Sequence, residues 1–178
     1  VRKAECDWSK QKLVANRPDS IASPLLIALA ASAGGPRGMI VTLQLEVVQR
    51  LLAQSATKEY GVLTLLIGLH YATGEPFVIP RGSFYPEPNV DSGCIELLRR
   101  ETPLLLPELC PVFKKIVKRV FAERRKKMMK LLKRDWPEAA VVEVFDALGL
   151  DEKIRAERVT LEQFAELTQR LSRAEIDE

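Results

Sequence analysis

Hydrophobic residues in the first hundred positions form short runs with two alternating kinds of spacing. Residues 12–15 and 39–43 are compact runs of the β-forming kind, and the first ends at a turn that begins with Asn16. Residues 25–33 and 46–52 instead have the composition or the spacing of helices. This alternation of strand, helix, strand and helix predicts an α/β sheet whose strands are joined by crossovers.

Two further apolar runs, residues 62–72 and 93–98, complete this region. No helix is predicted between them, so we interpret them as consecutive strands. Consecutive strands without a crossover form an antiparallel pair, which we expect at the edge of the sheet.

The pattern changes beyond residue 103, where helical segments replace the alternation. Pro111 suits the first turn of a helix, and apolar residues follow it at helical spacing with basic residues between them. Thr160, with Gln163 three residues later, has the capping-box pattern that opens a helix. We therefore predict a sheet domain over residues 1–105 and an all-helical domain over residues 106–178.

The charge of the chain is distributed unevenly. The 178 residues carry a net charge of +3, yet residues 114–134 hold eleven Lys or Arg and one acid, while the remainder holds 16 basic and 23 acidic residues. A solvated helix face usually mixes both signs, so this segment predicts a polyanionic partner whose phosphates it neutralises. The candidate phosphate-binding residues are Lys114, Lys115, Lys118, Arg124, Arg125, Lys126 and Lys127.

Residue counts argue against several kinds of chemistry and location. One histidine, His70, and three widely spaced cysteines speak against a metal site, a histidine triad and a disulfide framework, and they predict a reducing, cytoplasmic compartment. The longest apolar candidate, residues 21–33, falls short of the ~18 residues of a membrane span and contains proline and serine. The first residues also lack the pattern of a signal peptide, so none is expected.

Residues 84–92 combine an aromatic pair with two prolines that are separated by one residue. Proline fixes its own φ and restricts the residue before it, so Phe84 is expected in a stiff loop. A rigidly held ring suits the clamping of a flat ligand such as a nucleobase. The alternative is a connector in which Phe84 only fills the core.

Several short motifs occur in a fixed order along the chain. They are Asn16 with Pro18, residues 21–25, 43–47, 58–63 and 84–92, Arg124-Arg125-Lys126, and Arg155-Ala156-Glu157. In this arrangement the chain resembles the ribosomal RNA adenine dimethyltransferases of the KsgA type, and the resemblance covers nearly its whole length. The family's Phe-x-Pro-x-Pro-x-Val-x-Ser motif is matched without a gap.

The resemblance implies a Rossmann-like fold that uses S-adenosylmethionine to place two methyl groups on the N6 of adenine in small-subunit ribosomal RNA. It implies that Asn16 accepts a hydrogen bond from the adenine amine and also lies against the cofactor. It further implies that Pro18 shapes the turn and that Phe84 stacks on the flipped base. The basic residues between 114 and 134 would then bind RNA phosphates.

Two features depart from the family pattern. Asp19 stands where the family has a tyrosine that stacks on the base, so either Tyr85 or another ring compensates, or activity is reduced or lost. The family's glycine-rich cofactor turn is also missing, because Gly34, Gly35 and Gly38 follow a helix and precede a strand. We therefore expect the carboxy-terminal part of a longer protein, with about half of the methyltransferase sheet.

Some of these residues have simpler interpretations. Asn16 is a common residue type in turns and caps. Lys58 and Tyr60 are equally compatible with a role in supporting the fold. Glu46 is compatible with a charge at the start of a helix, where it interacts favourably with the helix dipole. The alternatives for function are a non-catalytic RNA- or DNA-binding member of the fold and an antibiotic-resistance methylase of large-subunit ribosomal RNA. The Arg155-Ala156-Glu157 stretch favours the small-subunit branch.

Overall fold

The computed structural model describes residues 8–16 and 19–174, with the side chains of residues 19–21 and 174 outside that description. Its described part contains five strands, seven helices and three short 3-10 turns. The strands are β1 (Lys12–Asn16), β2 (Gly38–Gln44), β3 (Tyr71–Thr73), β4 (Phe77–Ile79) and β5 (Ser92–Arg99). The helices are α1 (Asp19–Ala31), α2 (Leu45–Leu52), α3 (Val62–Gly68), α4 (Cys110–Ala122), α5 (Met128–Leu132), α6 (Glu138–Ala147) and α7 (Leu161–Ala174).

These elements form two compact units. The first contains the described residues up to Leu52 together with Leu66–Thr102, and it holds the sheet with α1 and α2. The second contains Ala53–Leu65 and the described residues from Pro103 onward, and it holds α4 to α7. The sequence assigned residues 53–65 to the sheet domain, whereas here they join the helical unit, in which the buried Tyr60 forms its hydrogen bond.

The sheet has the strand order β1-β2-β5-β3, and β4 pairs with β5 as well. β1 and β2 are parallel and are joined by α1, whereas β5 is antiparallel to β2, β3 and β4. The expected antiparallel pair at the edge is thus present as β3 with β5. α1 begins earlier than predicted, at Asp19, and contains Pro24.

The prediction of a strand over residues 62–72 is wrong for most of that run. Helix α3 occupies Val62–Gly68, and only Tyr71–Thr73 is a strand. Residues 65–67 are buried at three consecutive positions. Because side chains all round this helix are apolar, the run has no periodicity that separates a buried helix from a buried strand.

One face of the sheet is the core of the first unit. The side chains of Met39, Val41 and Leu43 alternate along β2 and are at most 3% exposed. Gly93 of β5 pairs with Leu43 and therefore lies on the same face. A Cβ at Gly93 would lie 3.0 Å from a methyl group of Val48, so the missing side chain lets α2 pack close to the sheet.

The opposite face of the sheet is open within the described part of the chain. Val14, Ile40 and Leu98 lie on it, and they are 75%, 41% and 48% exposed. β1 is also the terminal strand of the described sheet on its side. Part of a larger sheet is expected to have such an open apolar face and an open edge.

The second unit is built on the apolar face of α4, as its helical spacing predicted. α4 packs against α5 and α7, and the rings of Phe113 and Phe164 meet edge to face with centroids 6.5 Å apart. The capping box of α7 is also confirmed, because Thr160 and Gln163 exchange backbone-to-side-chain hydrogen bonds of 3.0 and 3.3 Å. The buried side chains of α4 are Phe113, Ile116, Val117 and Val120.

His70 lies between α3 and β3, and its carbonyl accepts a hydrogen bond of 2.8 Å from the Arg100 N–H. Burial of the ring, and then the positive charge of Arg99, lower the pKa of His70 below its ordinary value of 6.5. The folded protein therefore keeps this ring neutral at a pH where the unfolded chain already binds a proton. Its contribution to stability is complete above pH 6.5 and is lost as the pH falls through the folded pKa.

We predict that the stability of the protein falls between pH 7.5 and 5.5, and that His70→Gln removes most of this dependence. His70 is the single histidine of the chain, and no other side chain has an ordinary pKa in this range. Urea unfolding at the two pH values measures the effect. An equal fall in wild type and variant would assign the pH dependence to other groups.

Candidate functional site

A cavity of about 570 Å³ opens at the carboxyl ends of β1 and β2, within the first unit. The two parallel strands form its floor, and the loop that precedes β5 forms its wall. Crevices at the carboxyl ends of parallel strands are where open α/β sheets bind ligands. The lining residues are Asn16, Thr42, Leu43, Gln44, Phe84, Tyr85, Pro86, Pro88, Asn89, Val90 and Ser92.

The floor of the cavity depends on the register of the sheet. Asn16 pairs directly with Thr42 across β1 and β2, and Gln44 pairs with Ser92 across β2 and β5. Because side chains alternate along a strand, Asn16, Thr42 and Gln44 project from the same face. Among the described residues, neither the Asn16 nor the Gln44 carboxamide has a hydrogen-bond partner.

The wall of the cavity is a loop that is fixed at both ends. The Asp91 carboxylate accepts a hydrogen bond of 2.9 Å from the Arg81 N–H, and the Asp91 carbonyl accepts one of 2.9 Å from the Leu45 N–H. Arg81 also forms an ion pair of 3.1 Å with Glu87. These contacts hold the loop against the first turn of α2.

The two aromatic residues of this loop have different environments. Phe84 has extended backbone geometry and is half-buried, whereas Tyr85 is fully exposed. Both rings line the cavity. Phe84 is therefore not fully enclosed in the core, because part of its surface borders the cavity.

The structure brings together two of the three residues for which the sequence predicted a catalytic role. Asn16 and Phe84 lie on the same cavity, whereas Pro18 lies outside the described residues, as does the side chain of Asp19. Sequence reasoning missed Gln44, although residues 43–47 formed one of the motifs. The alternation along β2 that buries Leu43 also turns Gln44 toward the cavity, and this signal was available in the sequence.

The basic segment, residues 114–134, contains two groups of cations. In the first group, Arg119 forms a bidentate pair with Asp135, one of whose bonds is 2.7 Å, and Arg134 pairs with Glu123. Arg119 lowers the pKa of Asp135, and Arg134 lowers the pKa of Glu123. These cations are engaged within the fold.

The second group of cations is exposed and forms no salt bridge among the described residues, although the charge of Lys126 contributes to lowering the pKa of Glu123. Lys114 and Lys118 lie on the solvent face of α4, while the others follow α4 or lie on α5. Lys115 is exposed as well, and its ammonium lies 4.5 Å from the centre of the Trp136 ring. The members of the second group are Lys114, Lys118, Arg125, Lys126, Lys127 and Lys130.

Arg124 differs from its basic neighbours because it connects three parts of the second unit. Its guanidinium donates a hydrogen bond of 3.1 Å to the Lys58 carbonyl and lies 3.6 Å from the Glu157 carboxylate. It also stands over the Phe121 ring at 5.9 Å. Segment 53–65 is thus held to α4 and to the turn before α7.

Tyr60 is the second contact that holds this segment. Its hydroxyl donates a hydrogen bond of 2.9 Å to the Val159 carbonyl, and its ring meets Phe121 edge to face at 6.2 Å. Burial, and then the charge of Glu162, raise the pKa of Tyr60. The geometry therefore favours a role for Tyr60 in supporting the fold, which the sequence had left open.

The part of the chain that the structure describes contains neither a cluster of metal ligands nor a membrane-spanning helix. No group of three or more His, Cys, Asp or Glu side chains in that part of the chain could hold a metal ion. No helix there is long and apolar enough to cross a bilayer.

The fold defines the class of protein, since a mixed sheet with a cavity at its carboxyl edge is typical of Rossmann-like enzymes. The structure is similar to a dimethyladenosine transferase from Plasmodium falciparum, with a TM-score of 0.76 at 20% identity, over 92% of this chain and 67% of that one. It is also similar to the 23S rRNA methyltransferase ErmE, with a TM-score of 0.65 at 25% identity, over 90% and 65%. The predicted fold class is therefore confirmed.

The sequence defines the family. Residues 4–173 match the family described as ribosomal RNA adenine dimethylase. The chain is 34% identical over 171 residues to the ribosomal RNA small subunit methyltransferase A of Geobacillus kaustophilus, which is 93% of this chain and 58% of that protein. The chain belongs to the ribosomal RNA adenine dimethylase family, and it spans less than two thirds of the length of this relative.

We predict that Tyr60→Phe lowers the free energy of unfolding by about 1 kcal/mol, because the buried Val159 carbonyl loses its donor. Tyr85→Phe is the matched control, since its hydroxyl is fully exposed, and no change is expected. Urea unfolding of the two variants measures the difference. Equal stability of both variants would contradict a structural role for the Tyr60 hydroxyl.

Proposed function

We propose that this protein takes part in S-adenosylmethionine-dependent dimethylation of adenine N6 in small-subunit ribosomal RNA. The observation that carries the proposal is the meeting of Asn16 and Phe84 on one cavity at the carboxyl edge of the sheet. The name of the Geobacillus relative supports the small ribosomal subunit as the source of the RNA. Among the described residues, Cys94 and Cys110 are free thiols, which is compatible with a reducing compartment such as the cytoplasm.

Asn16 would act by orienting the exocyclic amine of the target adenine. The lone pair of an exocyclic adenine amine is delocalised into the ring, so the amine is a weak nucleophile. The exposed carboxamide of Asn16 has no partner among the described residues and can accept a hydrogen bond from that amine. Holding the amine in a near-attack geometry lowers the barrier without a strong base.

Phe84 would hold the base itself. A base that is flipped out of its stack loses stacking energy. Stacking on an aromatic side chain compensates with about 1–3 kcal/mol. The half-buried ring lies on a loop that Asp91 holds in place, so the loop loses little conformational entropy when a base binds. Tyr85 on the same loop is the ring available to compensate for Asp19, and Pro18 would shape the turn after β1.

S-adenosylmethionine supplies the methyl group as an electrophile. Asn16 fits one side of its site, since it ends β1 and offers a polar group at the carboxyl edge of the sheet. The described residues contain no glycine-rich turn between a strand and a helix, because β2 leads directly into α2 and the segment between β5 and α4 contains no glycine. These residues therefore account for one part of a cofactor site only.

The basic segment would bind the phosphates of the RNA. Lys114, Lys118 and Arg125 to Lys127 are exposed and form no salt bridge with a described carboxylate, so they can exchange counterions for phosphates. Lys115 would join them from its position over Trp136. Arg124 would contribute mainly by holding segment 53–65, because its guanidinium already bonds Lys58.

A second candidate is a non-catalytic RNA-binding member of the family. The carboxylate of Asp19 in place of a tyrosine favours it, since a carboxylate cannot stack on a base and is costly to bury beside one. Binding of S-adenosylmethionine by the protein expressed from its full natural reading frame separates the two candidates. Tight binding supports the enzyme, whereas none supports the non-catalytic member.

We predict that Asn16→Ala lowers methyl transfer to immature small subunits by about 100-fold or more, because a misplaced amine loses its near-attack geometry. The assay uses radiolabelled S-adenosylmethionine and the protein expressed from its full natural reading frame. Gln49→Ala, on the exposed surface of α2, is the control and should retain wild-type transfer. No transfer by wild type, or undiminished transfer by Asn16→Ala, would refute the catalytic assignment.

We predict that replacing Arg125, Lys126 and Lys127 with Ala weakens RNA binding and makes it less sensitive to salt. The slope of log affinity against log salt concentration should fall by about 2, since each lost contact with a single strand contributes ~0.7. Fluorescence anisotropy of a labelled RNA across a salt series measures the slope. The control replaces Lys153, Arg158 and Arg173, which are also exposed. An equal loss of RNA affinity in both variants would contradict a specific role for residues 125–127.

A further inference from the structure

Gln44 is a polar side chain in the cavity to which no role has been assigned. It is the last residue of β2, it is half-buried, and it lines the cavity beside Asn16 and Phe84. Its carboxamide forms no hydrogen bond with any described residue. Its polar atoms are not among the buried unsatisfied atoms of the described residues, so they are accessible from the cavity and available to a ligand.

The position of Gln44 relative to Asn16 is set by the sheet. Asn16 pairs with Thr42, and Gln44 follows two residues later on the same face. From the spacing of strands and of residues along a strand, the Cα atoms of Asn16 and Gln44 are about 8 Å apart. Two carboxamides at this separation can reach two neighbouring atoms on the edge of one flat base.

The chemistry of the two groups suits adenine. Its amine donates hydrogen bonds, and it lies between two ring nitrogens, N1 and N7, that accept them. If Asn16 accepts from the amine, the amide N–H of Gln44 is free to donate to one of these nitrogens. Guanine has a carbonyl in place of the amine and an N–H at N1, so it reverses the pattern on that edge.

We infer that Gln44 is a specificity-determining residue that donates a hydrogen bond to the adenine ring nitrogen beside the target amine. The inference rests on the proposed function, since it concerns the same base in the same cavity. Gln44 recognises the base, Asn16 holds the amine, and Phe84 stacks on the ring. Selection of adenine then follows from two carboxamides whose spacing the sheet fixes.

The test measures binding of the chain to eleven-nucleotide RNAs that contain ten uridines and one central purine. The central purine is adenosine, 1-deazaadenosine, 7-deazaadenosine or guanosine, and each deaza analogue lacks one of the two acceptor nitrogens. With wild type, one deaza analogue and guanosine should each bind about three- to tenfold more weakly than adenosine. The analogue that loses affinity identifies the acceptor.

Gln44→Glu replaces the donor with an acceptor of nearly the same shape. It should bind adenosine more weakly and should no longer distinguish it from the deaza analogue. The ratio between the two RNAs is the readout, because the added negative charge weakens both equally. Gln49→Glu makes the same change on the exposed surface of α2, and it should keep the wild-type ratio.

Equal binding of adenosine and both deaza analogues by wild type would overturn the inference. A Gln44→Glu variant that keeps the wild-type ratio of adenosine to deaza-analogue affinity would overturn it as well. Thermal unfolding of each variant confirms that it is folded. Methyl transfer is measured separately with the protein from its full natural reading frame. Methyl transfer together with no Gln44-dependent preference for adenosine would refute this inference alone. A Gln44-dependent preference for adenosine without methyl transfer would refute only the catalytic proposal.

Discussion

The register of β2 is the constraint on which the rest of the site depends. β2 pairs in parallel with β1 and antiparallel with β5, and these pairings align Asn16 with Thr42 and Gln44 with Ser92. A slip of one residue would turn these side chains to the opposite face and expose the apolar residues between them. Burial of Met39, Val41 and Leu43 beneath the helices opposes that slip. The core face of the strand therefore determines the geometry of its functional face.

The aromatic wall depends on the same strand indirectly. Asp91 fixes both ends of the loop, since its carboxylate holds the Arg81 N–H and its carbonyl accepts from Leu45, the residue that follows β2. The wall and the floor of the cavity are thus connected through backbone groups rather than through long side chains. Such a connection restricts the movement of the loop that carries Phe84 relative to β2.

The sequence predicted the parts of the structure that depend on local pattern. β1, β2, α2 and the amphipathic α4 were expected from spacing, and Asn16 and Phe84 were expected from motifs. α3 was missed because a short and almost continuously apolar run has no period that separates a helix from a strand. The anchoring role of Arg124 was missed for a different reason, since its partners Lys58 and Glu157 are distant in sequence and come together only in the fold.

The division of the basic segment into two groups also resolves a physical difficulty. A local excess of ten positive charges destabilises a compact unit through repulsion. The carboxylates of Asp135 and Glu123 neutralise Arg119 and Arg134, and Glu138 pairs with Lys133 at 2.7 Å. Arg125, Lys126 and Lys127 remain exposed in the turn between α4 and α5. The acids therefore stabilise the helical unit and leave the remaining positive charge concentrated on an exposed turn.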